Sequence, residues 1–189
     1  LLTRLRQAIA PISLAIGRTL ATVVPNPNFW TLVGLLLSLL AAYLFAIQDT
    51  FLAAISVLGS GFMDVVDGAV ARATGRITRR GGFLDSNIDR VGESVIYIGL
   101  MFSPGWKSVV AGVALATSLL VSYSRARAEA SGLKAEGVGI GERAERLLVL
   151  VIGGLLGPNY LYFAVLLVAL ISLLTFLQRI YVYGSALKD

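Results

Sequence analysis

Four aspartates, Asp64, Asp67, Asp85 and Asp89, stand where the surrounding sequence is otherwise apolar. Ionisable side chains are costly at membrane depth and mark functional sites there. Asp64 and Asp67 are three residues apart and Asp85 and Asp89 four apart, so each pair shares one face of a helix. A short Gly- and Arg-rich connector, with Gly75, Arg76, Arg79 and Arg80, folds the two helices back antiparallel, and the carboxylates converge at one depth. Carboxylates so placed repel one another unless protonated or neutralised. The chain has no His and no Cys, so a metal bound here takes oxygen ligands, which favours magnesium or manganese over zinc or copper. Magnesium is usually held by carboxylates together with substrate phosphates, so the cluster implies a phosphate-bearing substrate. The plain alternative is inter-helix salt bridging to Arg72 and Arg90. Gly59, Ser60 and Gly61 before the first pair, and Gly68, Ala69 and Ala71 after it, allow close helix approach.

The elements that position these residues are read from hydropathy. Of the 189 residues, 57% are hydrophobic and 14% charged, where a soluble domain carries about 25% charged residues; mean hydropathy is +0.81. Uncharged stretches such as Phe29–Gln48 and Pro158–Gln178 approach the roughly 20 residues that cross a bilayer core as a helix. The sequence predicts an all-α integral membrane protein of one domain over 1–189. Residues 1–24 form an interfacial amphipathic helix and 25–189 a bundle of six membrane helices. The spans are Phe29–Gln48, Phe51–Thr74, Gly82–Ser103, Trp106–Ala130, Glu142–Leu156 and Asn159–Tyr183. Pro25 and Pro27, Pro104 with Gly105, and Gly157 with Pro158 punctuate them. No secretory signal is read in Leu1–Val24, which Arg4, Arg6, Pro11 and Arg18 interrupt. Nearly all basic residues fall in segments that six crossings put on one side, and Lys107 alone on the other. Both termini and the acidic cluster are therefore expected on the cytoplasmic face of a multi-pass cell-membrane protein. The same asymmetry accounts for the net charge of +5 without nucleic acid, since no basic stripe with interleaved aromatics occurs.

The run Asp64-x2-Asp67-Gly68-x2-Ala71-Arg72-x8-Gly81-x3-Asp85-x3-Asp89 fixes eight positions over 26 residues and resembles, without a gap, the signature of the CDP-alcohol phosphatidyltransferase family. The resemblance implies a metal-dependent phospholipid synthase, a homodimer as relatives typically are. It would move a phosphoalcohol from CDP-diacylglycerol or CDP-archaeol to an alcohol acceptor and release CMP. It implies two divalent ions, magnesium or manganese, held by Asp64, Asp67 and Asp85 with Asp89 contributing to the second. Asp89 is also implied as the general base on the acceptor hydroxyl. Gly68, Ala71, Arg72 and Gly81 resemble positions lining the cytidine diphosphate site together with the aspartates, and Thr31, in Pro27-Asn28-x2-Thr31, a further nucleotide contact.

A second, basic constellation spans Arg125, Arg127, Arg143, Arg146 and Arg179. Arginine's planar fork suits phosphate oxygens, so an acceptor carrying its own phosphate accounts for it. The competing reading is ordinary positive-inside residues, with Arg143 and Arg146 paired to Glu142 and Glu145. The segments Tyr123–Glu129 and Gly141–Arg146 resemble the branch of the family that makes phosphatidylinositol phosphate or archaetidylinositol phosphate. That resemblance implies that Arg125, Arg146 and Arg179, with Arg143 beside them, hold inositol 1-phosphate. A phosphatidylglycerophosphate-type synthase using glycerol 3-phosphate is the alternative within the family. Outside it stands an ion-coupled transporter, which would spread polar residues over several spans and show inverted repeats. Glu93 continues the Asp85 and Asp89 stripe and is expected either to orient Asp89 or touch the acceptor, or to pack against Arg90 or another helix. The run Gly137-x-Gly139-x-Gly141 follows no strand and lacks the last glycine of a dinucleotide loop, so it is left without a function.

Overall fold

A computed structural model describes residues 2–104, 108–135 and 137–187, with 2–12 as backbone alone. Trp106, Lys107 and Lys188 lie outside the described residues, as do the side chains of Arg4 and Arg6. Seven helices and no strand are found among the described residues: α1 (Leu2–Val23), α2 (Pro27–Ala46), α3 (Thr50–Ala73), α4 (Arg79–Phe102), α5 (Ser108–Ala130), α6 (Arg143–Leu156) and α7 (Pro158–Ala186). Each expected segment is a helix, with ends within a few residues of those read from hydropathy. Of these, α2, α3, α5 and α7 are long and apolar enough to cross a membrane. The first half of α4 carries the charged residues Arg79 to Glu93, and α6 has only 14 residues, about 21 Å of helix.

Local chemistry fixes the helix starts. The Asn26 side chain accepts from Asn28 N–H, with Pro27 at the first position of α2, where proline's missing donor costs nothing. Asp49 caps α3 through Leu52 N–H at 3.1 Å, and Thr78 Oγ1 caps α4 through Gly81 N–H at 3.0 Å. At the head of α6, Glu142 N–H donates to Glu145 Oε2 at 2.9 Å. The turn between α2 and α3 and the end of α4 lie together, since Gln48 Nε2 donates to Pro104 O at 2.6 Å. At the other end, residues 74–78 return the chain from α3 into α4.

Three helices, α2, α3 and α4, pack closely because small residues face one another. A Cβ on Gly92 would come within 2.9 Å of Ser38 Oγ, and one on Gly99 would overlap the Ala42 backbone. Ser38 and Ser60 hydroxyls meet at 2.7 Å between α2 and α3. Behind them a continuous apolar core joins Phe45, Val57, Ile96, Leu100, Leu150 and Val165. α1 seats on α3 at Gly17, where a Cβ would stand 2.6 Å from the Ala69 carbonyl. The large apolar side chains left exposed, among them Leu36, Leu40, Phe163 and Leu170, lie on helices long and apolar enough to cross a membrane. Their exposure is that of a surface made for lipid.

Candidate active site

The antiparallel return of α3 into α4 brings the aspartates together as their spacing requires. Asp64, Asp67 and Asp85 each offer a carboxylate oxygen, and these oxygens lie within 4.8 Å of one another. Asp67 is buried and accepts from Thr31 Oγ1 on α2 at 2.6 Å, which orients its second oxygen. Asp85 Oδ1 is buried without a hydrogen-bond partner. A buried carboxylate oxygen left unsatisfied is costly, and an oxygen-only trio of this size with one free buried oxygen fits a hard divalent cation. Asp89 stands one turn beyond, facing α6. Arg143 Nη1 lies 2.8 Å from Asp89 Oδ1 and 3.4 Å from Asp64 Oδ1, and Arg90 Nη1 lies 3.5 Å from Asp89 Oδ2. A narrow cleft opens among Thr31, Gly34, Ser60, Asp64, Asp89 and Arg143.

The remaining nucleotide-site candidates flank this trio. Gly68 and Ala71 follow Asp67 on α3, and the exposed Arg72 folds over Gly68, whose Cβ would stand 3.3 Å from Arg72 Nη1. Arg72 makes no ion pair among the described residues and Arg90 pairs with its own neighbour Asp89 on α4, so the inter-helix bridge to the aspartates comes from neither of the arginines expected to make it but from Arg143 on α6. Gly81 occupies the first turn of α4, directly under the Thr78 cap.

The arginines divide. Arg125, on α5, pairs with Glu129 at 2.9 Å. Arg146 is 1% exposed and makes a two-pronged bridge to Glu93, Nε to Oε1 and Nη2 to Oε2, both at 2.8 Å. Its Nη1 donates to Gly141 O at 2.7 Å. The pairing of Arg143 and Arg146 with Glu142 and Glu145, supposed by the competing reading, is not what forms; both arginines turn inward, to aspartates and to Glu93. Arg179 is buried and donates to Val138 O at 2.8 Å and to Val121 O at 2.7 Å. Its bond to Val121 reaches α5 one turn before Arg125, and its bond to Val138 reaches the segment that leads to Arg146, so α5, α6 and α7 bring arginines to one region. Of the five N–H donors on a guanidinium, Arg146 commits three and Arg179 two to protein partners. Glu93 as the partner of Arg146 was not legible in advance beyond its place on the aspartate stripe. Thr175 and Tyr183, which meet the same region from α7, gave no sequence signal apart from their four-residue spacing from Arg179.

An all-helical chain with lipid-type surfaces and an acidic, cation-competent cluster opposed by convergent arginines defines a membrane enzyme of phosphate transfer. The model of the CDP-alcohol phosphatidyltransferase family matches residues 24–179, and the chain belongs to that family. The archaetidylinositol phosphate synthase of Pyrococcus horikoshii is 40% identical over 181 residues, 96% of this chain and 95% of that protein. The phosphatidylinositol phosphate synthase of Mycobacteroides abscessus is 35% identical over 188 residues, 93% of this chain and 85% of its own length. Among solved structures, the phosphatidylinositol phosphate synthase of Mycobacterium tuberculosis with CDP-DAG bound superposes with a TM-score of 0.82 at 32% identity, covering 93% of this chain and 94% of that one. The same enzyme in complex with manganese and citrate gives a TM-score of 0.82 over 92% of this chain and 89% of its own.

Proposed function

We propose that this enzyme transfers a phosphoalcohol from a CDP-linked lipid to inositol 1-phosphate, forming a phosphatidyl- or archaetidylinositol phosphate and releasing CMP. The observation that carries the reading is the carboxylate trio Asp64, Asp67 and Asp85, with oxygens within 4.8 Å, inside a chain whose relatives are named for that product. Asp64, Asp67 and Asp85, with Asp89 beside them, would hold two magnesium or manganese ions, which would supply charge neutralisation along the diphosphate and on the departing CMP. Thr31 keeps Asp67 in its ligating orientation, while Gly68, Ala71, Arg72 and Gly81 shape the cytidine diphosphate pocket. Asp89 takes the proton from the acceptor hydroxyl. The freed oxygen attacks the lipid-side phosphorus, and the bond to the bridging oxygen breaks, that oxygen leaving with CMP.

The phosphate of the acceptor is held where Arg125, Arg146 and Arg179 converge, with Arg143 between that pocket and Asp89. Arg125 and Arg146 already pair with Glu129 and Glu93, so the anion is met by Arg179, whose charge has backbone carbonyls alone as partners among the described residues, and by the donors that Arg125 and Arg146 leave uncommitted. In the membrane, α2 to α7 are the six crossing helices of a single domain over 1–189, and α1 lies in the interface. Both termini and the site face the cytoplasm, and two copies form a homodimer. The test is CMP release from CDP-diacylglycerol and CDP-archaeol by purified protein with magnesium or manganese, offering inositol 1-phosphate, glycerol 3-phosphate and free inositol separately. Turnover requires the metal and inositol 1-phosphate. Turnover with glycerol 3-phosphate alone would replace this reading, and release with no acceptor at all would end it.

A further inference from the structure

Three side chains at four-residue spacing on α7 meet the segment that leads into α6, each on a backbone group. Tyr183 Oη donates to Ala135 O at 2.8 Å, Arg179 Nε donates to Val138 O at 2.8 Å, and Thr175 Oγ1 accepts from Gly141 N–H at 3.0 Å. The partners are three residues apart and run in the opposite order, so the segment lies antiparallel along α7, one bond per helical turn. Apolar packing of Leu133, Ala135 and Val138 with Ala128, Val182 and Tyr183 backs the same contact. The glycine run that had no function fits here. Gly137 and Gly139 have φ of +77° and +110°, a region that favours glycine. A Cβ on Gly139 would overlap Thr175 Cγ2, and one on Gly141 would stand 3.2 Å from Ile171 O. These glycines let the backbone lie directly on α7.

The ladder ends where the arginines begin. Gly141 gives its N–H to Thr175 and its carbonyl to Arg146; Glu142 then opens α6, and Arg143 reaches Asp89 and Asp64. We infer that Thr175 and Tyr183, on either side of Arg179, are positioning residues that set the register of the segment leading into α6 and thereby place Arg143 and Arg146 for the acceptor. The inference rests on the proposed acceptor pocket, but its structural half stands apart from it. Without a bond at each turn, this glycine-rich segment could slide along α7 and carry the first turn of α6 with it.

The test uses full-length Tyr183→Phe and Thr175→Val, with Thr175→Ser as the variant that keeps the oxygen. Amide exchange over 137–146 should speed up in the first two and stay near wild type in the third. The KM for inositol 1-phosphate should rise roughly threefold to tenfold, the loss of about one hydrogen bond, while the KM for the CDP-lipid and the affinity for manganese are unchanged. Equal losses for both substrates, or an unchanged acceptor KM despite faster exchange, would overturn the positioning role. Unchanged exchange would overturn the ladder itself. Tyr183→Phe deletes a single oxygen, so it decides the matter even where Thr175→Val does not fold. If wild-type protein turns over no phosphorylated acceptor, the proposed function fails, and amide exchange still decides whether α7 fixes the segment.

Discussion

Asp89 and Glu93 are one turn apart on α4, yet they answer to different physics. Asp89 faces the cleft, where Arg143 and Arg90 approach it, and in the proposed reaction it must accept a proton. Asparagine has the same shape and cannot do so. Asp89→Asn should therefore lower CMP release by about a hundredfold to ten-thousandfold while CDP-lipid binding, measured by calorimetry, is largely kept. Wild-type turnover in that variant would remove the base assignment. Glu93 is 1% exposed and answers to burial. Removing it leaves the Arg146 guanidinium charged and enclosed, a loss of about 3–5 kcal/mol. Glu93→Ala should accordingly lower the unfolding temperature in detergent sharply. Glu93→Met combined with Arg146→Met should recover most of that stability, because a buried ion pair is often replaceable by apolar groups of similar volume. An Glu93→Ala variant that melts like wild type would mean that water reaches the pair.

At the scale of elements, the glycines sort by what faces them. Gly99 lies against the Ala42 backbone, so Gly99→Val must force α2 and α4 apart, costing about 1–3 kcal/mol or more. Gly61 has nothing within 4 Å of its would-be Cβ, and Gly61→Ala should shift stability by no more than about 0.5 kcal/mol. Thermal unfolding of the two variants side by side checks the difference; equal effects would mean that α2 and α4 are not held at this separation. The sequence already places each helix, since hydropathy and proline or glycine punctuation are local. It also brings Asp64, Asp67, Asp85 and Asp89 together, because two helical spacings and one short connector leave little choice. It does not pair Arg146 with Glu93, 53 residues away, or Thr175 with Gly141, 34 away. Periodicity tells which face a residue occupies but not which distant face meets it. Nor could it explain Gly137, Gly139 and Gly141, because the first two adopt positive φ and the last two lie against α7, neither of which has a local signature.

At the scale of the whole molecule, the ends of the helices carry opposite burdens. The end that holds the 74–78 connector, the 131–142 segment and the last turn of α7 bears Arg72, Arg76, Arg79, Arg80, Arg127 and Lys134. The other end, marked by the Gln48–Pro104 contact and by Gly157, has almost no basic side chain. Basic loops of membrane proteins gather in the cytoplasm, so the charge asymmetry argues for the proposed orientation. The absence of cysteine makes this directly measurable, because each introduced thiol is the sole target of a maleimide. Ser131 and Ser185 are exposed at the basic end, and Asn159 is exposed at the opposite one. In right-side-out membrane vesicles, an impermeant maleimide should label Asn159→Cys at once and Ser131→Cys and Ser185→Cys only after permeabilisation; inside-out vesicles should reverse the order. Labelling of Ser131→Cys and Asn159→Cys from the same side would mean that α6, only 14 residues long, enters the bilayer and returns without crossing. The site would then have to be placed anew relative to the cytoplasm.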